Sequence, residues 1–158
     1  GGIDFWLTME QSKKHHWLEN LLHYYSLAVD YWPDAIGKIT HAVDNTLADP
    51  KGRWLLSNDY LYSASEFSLL SSLENVVKEK VIDRTFIDDE GITWIVDYKT
   101  STPLPGETKQ QFIEREVGLY HYQLLDYKLY LSLKQHATTL IRTALYFTYY
   151  PHWEELET

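Results

Sequence analysis

Apolar residues recur at helical spacing from Ser12 to Tyr31, at Trp17, Leu18, Leu21, Leu22, Tyr25 and Val29. That period predicts a helix, and Pro33 ends it or begins the next one. Asp34 to Leu47 reads as a second helix, with Ile36, Ile39, Ala42, Val43 and Leu47 along one side. Asp49-Pro50-Lys51-Gly52 reads as a turn, and Arg53 to Ser57 as a short extended piece. The period is ambiguous between Tyr60 and Ser72, where a strand is assigned over Ala64 to Leu70, carrying Glu66.

Val76 to Ile87 and Ile92 to Thr100 are rich in β-branched and aromatic residues and read as strands. Between them lies Asp88-Asp89-Glu90-Gly91. A three-residue loop of Asp89, Glu90 and Gly91, with glycine in the left-handed position, is a favoured hairpin closure. In that register Asp83 lies directly opposite Asp97; a four-residue loop offsets them by one. Thr102 to Glu107 is a loop. Lys109 to Gln135 is a long helix with Phe112, Val117, Tyr120, Leu124, Tyr127 and Leu131 on its apolar side. Leu140 to Phe147 is a last strand, and the polar residues after Pro151 read as a terminal tail. Helices, three strands, a helix and a strand predict an α/β fold on a mixed sheet, with a right-handed crossover from Tyr98 to Arg142.

The hydrophobic fraction is 44% and the aromatic fraction 15%, which argues for a folded domain and against disorder. With no cysteine, disulfides, zinc-thiolate sites and a thiol nucleophile are excluded. No apolar run reaches the roughly 18 residues of a membrane span, and the amino end lacks the layout of a secretory signal. A soluble cytoplasmic protein is the expectation. The start at Gly-Gly without an initiator Met suggests a fragment of a longer chain. The formal charge of −9 runs against a nucleic-acid binder that works alone.

The candidate chemistry lies in the hairpin. Asp97 and Lys99 share a strand face, while Tyr98 points away. Two carboxylates on directly opposed positions repel one another. A Mg²⁺ ion between them reverses the sign, since that ion takes one or two carboxylates plus water and phosphate oxygens. A surface hairpin with a solvated Asp-Lys pair fits the same triplet, but the apolar run Ile92 to Val96 leading into it favours the end of a buried strand. His23, His41, His121, His136 and His152 show no ligand spacing among themselves. Lys13, Lys14, Lys109, Arg115, Lys128 and Arg142 are the basic material for a phosphate track, and Asp88-Asp89-Glu90 reads as a solvated turn.

Asp83 followed by Asp97-Tyr98-Lys99 resembles the motif of the PD-(D/E)XK nuclease superfamily. More narrowly, IDRTF with WIVDYKTS is similar to the RecB-type nuclease domain at the carboxyl end of UvrD-like helicase-nucleases, the exonuclease V β-subunit type. Gln123-Leu124-Leu125-Asp126-Tyr127 resembles that group's Gln-x-x-x-Tyr motif, whose i, i+4 spacing puts both residues on one helix face. ALYFTYYPHW at Ala144 to Trp153, RWLLS at Arg53 and SASEF at Ser63 resemble its flanking segments. The likeness covers about His15 to Trp153.

The resemblance implies a restriction-endonuclease-like core, a mixed central sheet flanked by helices, with an N-terminal helical segment. It implies a single nuclease domain over residues 1–158, with helices at about 12–48 and the core at about 60–150. Asp83 and Asp97 would bind Mg²⁺, which Mn²⁺ can replace, with Tyr98 as a carbonyl ligand and His15 as a further ligand. Lys99 would be the catalytic lysine, Glu66 would support the metal-water shell, and Gln123 and Tyr127 would position DNA. The function implied is a DNA exonuclease attached to a helicase in double-strand break repair. Two departures stand out: Gln11 replaces the glycine usual before the histidine, and Lys80 replaces a small residue before Asp83. The alternatives are a silent nuclease-fold module that binds DNA or protein, and a metal-binding structural domain of a nucleotide-processing enzyme.

Overall fold

The computed structural model describes residues 3–57, 59–60, 62–73, 76–135 and 140–156, with 69–73, 76–79 and 135 described by their backbone alone. The chain divides into two compact units, Gly1–Leu56 and Ser57–Thr158.

The first unit is helical: α1 (Ile3–Thr8), α2 (Gln11–Tyr24), a 3₁₀ turn (Val29–Tyr31), α3 (Trp32–Ala48) and α4 (Pro50–Leu56). Trp6, Leu18, Leu22, Ile36 and Leu47 form its core, and Trp6 Nε1 donates to Asp44 Oδ1 at 3.0 Å. The helix expected to reach Tyr31 stops at Tyr24. Its end is a Schellman motif: the Leu27 amide donates to Leu22 O and the Ser26 amide to His23 O. Ser26 takes the left-handed position at φ 57°. Glycine usually marks such a stop, and here serine fills it. Pro33 falls in the first turn of α3, where its missing N–H costs nothing.

The expected turn at Asp49–Gly52 and extended piece at Arg53–Ser57 are corrected by α4. The Asp49 carboxylate accepts hydrogen bonds from the Lys51 and Gly52 amides, and Pro50 opens the helix. That is a side-chain cap followed by proline at the first helical position, so the physical signal for a helix start was present.

The second unit carries a five-stranded sheet in the order β1 (Ser63–Leu73), β2 (Val76–Ile87), β3 (Thr93–Lys99), β4 (Ile141–Phe147) and β5 (His152–Leu156). The β3–β4 pair is parallel and the others antiparallel, so the sheet is mixed and the protein is α/β. Helix α5 (Lys109–Gln135) makes the β3–β4 crossover and packs on the sheet. Ile82, Ile95, Phe112, Ile113, Leu124, Tyr127, Leu131, Ile141, Leu145 and Phe147 form this core. The expected tail after Pro151 is instead β5. It was hidden because of its five residues only Leu156 is buried, while Trp153 meets Trp94 edge-on at 5.1 Å between centroids.

The hairpin closes as expected. Gly91 adopts φ 78°, its amide donates to Asp88 O, and the Asp88 amide donates to Ile92 O. The ladder pairs Ile87 with Thr93, Phe86 with Trp94, Thr85 with Ile95 and Arg84 with Val96. The ladder ends at that pair, and Asp83 and Asp97 are the next residues along the two strands.

Strand β2 changes phase there. Alternation carried on from Thr85 would turn Val81 towards α5. Instead Val81 is exposed, Ile82 is buried, and Lys80 reaches Asp126 of α5 at 2.6 Å. Opposite Asp83 in the β1–β2 register stands Glu66, where the pairing lapses between Ser65–Arg84 and Phe67–Ile82. Glu66 has φ 53°. Both strands are therefore irregular at one level of the sheet, next to the candidate site. Among the described residues no helix is long and apolar enough to cross a membrane.

Candidate metal and phosphate site

Strand β3 delivers Asp97 and Lys99 from the end of the buried run Thr93–Val96. Side-chain alternation puts both on the face of Ile95, which packs in the core with α5. Asp97 is 7% exposed and Lys99 8%. Lys99 Nζ forms an ion pair with Asp97 Oδ2. That oxygen is buried against the ammonium. Lys99 Nζ also sits 3.0 Å above the centre of the Tyr120 ring of α5.

Asp83 joins from β2. Its Oδ2 accepts the Tyr98 amide proton at 2.9 Å, so a side chain takes over where the backbone ladder ends. Burial raises the Asp97 carboxyl above its usual range, and the charge of Asp83 adds to the rise. Lys99 opposes it through its hydrogen bond and charge. Two acidic side chains thus share a single ammonium partner. Tyr98 points to the other face, where burial pushes its hydroxyl up to about 12, opposed by the charge of Arg84 and helped to a lesser degree by Asp83.

These features suit a divalent cation. Two adjacent carboxylates repel without one, and the burial of Asp97 adds to the cost of its charge. Among the described residues no three His, Asp or Glu side chains converge, so the second unit offers a pair of acids rather than a cage. Mg²⁺ is commonly held this way, by few carboxylates and the substrate's own phosphate oxygens.

Gln123 and Tyr127 are brought together: Gln123 Nε2 donates to Tyr127 Oη at 2.6 Å. Tyr127 is buried, while Gln123 is exposed. Glu66 is exposed at the β1 irregularity. His15 lies on α2 in the first unit, exposed, with Nε2 3.4 Å from Glu19; His16 approaches the same carboxylate at 3.6 Å.

The basic residues read as a phosphate track are engaged elsewhere. Arg115 binds Glu107 and the buried Glu116, and Arg142 binds Glu155. Lys109 lies 5.8 Å from the Tyr150 ring centre. Lys80 is neutralised by Asp126 and rests 4.6 Å over the Tyr130 ring rather than adding charge beside Asp83.

Sequence reasoning missed two side chains that organise this region. Asp88 accepts from the amides of Glu90 and Ile92 and from Trp94 Nε1, so it is the anchor of the hairpin rather than a solvated turn residue. Tyr120 was read as part of the apolar side of α5, within an aromatic run that could also stack bases, and not as a partner of Lys99. Its spacing of three from Gln123 and seven from Tyr127 put it on their side of the helix, which was the available signal. In comparisons with known proteins, no family model matches the chain and no curated protein matches it significantly.

Proposed function

We propose that this chain is a metal-dependent DNA nuclease domain of the RecB type, with a restriction-endonuclease-like core in its second unit. The observation that carries this reading is the juxtaposition of Asp83 with the buried Asp97–Lys99 pair. A half-buried carboxylate beside a buried one costs stability, which makes sense where a cation and a phosphate are to be bound.

Asp83 and Asp97, with the Tyr98 carbonyl, are the residues that would hold Mg²⁺ or Mn²⁺. When bound, such an ion neutralises charge on a phosphate and acidifies water. Lys99, paired with Asp97, supplies a fixed positive charge beside the acids that would offset negative charge growing on a phosphoryl oxygen during hydrolysis. Glu66 and His15 are assigned supporting roles by resemblance. Gln123, held by Tyr127, is an exposed amide suited to a nucleic-acid backbone.

The substrate is DNA, processed from an end and delivered by an attached helicase in break repair. The dependence on a neighbour follows from the charge of −9 and from the ion pairs that occupy Arg115 and Arg142. The same engaged arginines favour the second reading, a nuclease-fold module that binds without cutting. Incubation of end-labelled linear DNA and of closed circles with Mg²⁺, Mn²⁺ or chelator separates the two. The nuclease reading expects metal-dependent loss of the linear substrate and none with Asp97→Ala. Equal degradation by Asp97→Ala, or no degradation of any DNA with either metal, defeats it.

A further inference from the structure

We infer that Tyr120 is the positioning residue for Lys99, holding its ammonium by the face of the ring; this rests on the nuclease reading above. Lys99 is buried, yet a lysine side chain has four rotatable bonds and its head is strongly hydrated. Two contacts fix the head. Asp97 pairs with it, and the Tyr120 ring lies beneath it, 3.0 Å from Nζ to the ring centre. The quadrupole of an aromatic ring attracts a cation placed over its face, most strongly where water is excluded.

The chemistry explains why a ring suits this place. A second carboxylate would hold the ammonium more strongly but would cancel its charge and compete with a phosphate. A ring attracts the cation, cannot accept its proton at the face, and leaves its charge available to the substrate. Helix α5 makes this possible because Phe112, Leu124 and Leu131 seat it on the sheet. Tyr120 is thereby carried under the end of β3.

The test has two readouts. In metal-free protein the side-chain methylene resonances of Lys99 are expected to be shifted upfield by the ring current. Tyr120→Phe should keep that shift, and Tyr120→Leu should abolish it. With Mg²⁺ and linear DNA, Tyr120→Leu should lower kcat on the order of tenfold to thirtyfold with KM little changed, the loss expected of a desolvated cation–π contact. Tyr120→Phe should recover most of it. Tyr120→Met is run alongside as an apolar substitute of similar reach, in case the leucine variant does not fold.

An unshifted Lys99 resonance in the wild type overturns the inference. So does a Tyr120→Leu enzyme of wild-type kcat, or a Tyr120→Phe variant as impaired as Tyr120→Leu. If the ring-current shift behaves as expected but wild-type protein cuts no DNA, the nuclease reading is what fails. The Lys99–Tyr120 contact then stands without a catalytic role.

Discussion

The Tyr98 amide donates to Asp83 Oδ2 at 2.9 Å, so at the end of the β2–β3 ladder a carboxylate takes the place of a backbone carbonyl. This bond stations Asp83 beside Asp97 in spite of their like charge. Asp83→Asn keeps an acceptor for Tyr98 and removes one of the two charges. Without divalent metal the variant is expected to be more stable than wild type by about 0.5–1 kcal/mol, the scale of a directly opposed like-charge pair. Saturating Mg²⁺ should stabilise the wild type through binding to the folded state and reverse the order. Urea unfolding in chelator and in Mg²⁺ checks both, and a variant less stable than wild type in chelator contradicts the repulsion.

Asp88 ties the hairpin together. Burial opposes its ionisation, but the hydrogen bonds from Trp94, Ile92 and Glu90, with the charge of Arg142, outweigh that and hold its carboxyl below the usual range. Asp88→Ala leaves three donors without this acceptor and should cost about 1–3 kcal/mol at neutral pH. Because the folded-state pKa is lowered, ionisation of Asp88 stabilises the fold at pH above the unfolded value of about 3.9. That contribution is lost as pH falls through the lower folded-state pKa. Denaturation curves should therefore show a constant gap between wild type and variant from neutral pH down to about 5, narrowing below about 4. A gap that instead widened in acid would refute the assignment.

The hairpin was legible because its signals are local: alternation on both strands and a glycine where the turn needs positive φ. Strand β5 was not, because its one buried residue is Leu156 and its packing rests on Trp94, far away in sequence. The phase change at Asp83 was also hidden. It depends on Glu66 leaving the extended region, and nothing in the residue type of glutamate announces that. The pairing of Lys80 with Asp126 joins strand to helix across a long separation, which no local pattern announces. Asp83, Asp97 and Lys99 were legible as a group, whereas the Tyr120 ring over Lys99 required the docking of α5.

Ser26 offers a test of how α2 ends. It occupies the left-handed position of the Schellman motif at φ 57°, where a β-carbon costs about 1–2 kcal/mol. Its side chain is exposed, so little packing is lost on removing it. Ser26→Gly is expected to raise stability by about 0.5–1 kcal/mol after the added flexibility of the unfolded chain is counted. Ser26→Val should lower it, since a β-branched residue tolerates positive φ poorly. Thermal unfolding of the two variants should place their midpoints on opposite sides of wild type, and a stabilised valine variant would show that the left-handed cap is absent in solution.

Glu66 poses the same backbone question at the candidate site, with opposite consequences for stability and activity. It is an exposed non-glycine residue at φ 53° within β1, in register with Asp83 where β1–β2 pairing lapses. Strain of this kind persists where the surrounding structure over-determines it, and it clusters at active sites. Glu66→Gly relieves the backbone and should leave stability equal to wild type or higher by up to about 1 kcal/mol. If the Glu66 carboxylate supports hydrolysis, the same variant should lose about tenfold or more in kcat, typical of removing a positioned polar group from an active site. Glu66→Gln separates the contributions, since it keeps a β-carbon and a polar head while removing the charge. It should unfold near the wild-type midpoint and be as slow as Glu66→Gly. Chemical denaturation paired with digestion of linear DNA measures both quantities on the same preparations. A glycine variant that is more stable and fully active would leave the strain at Glu66 without a catalytic purpose.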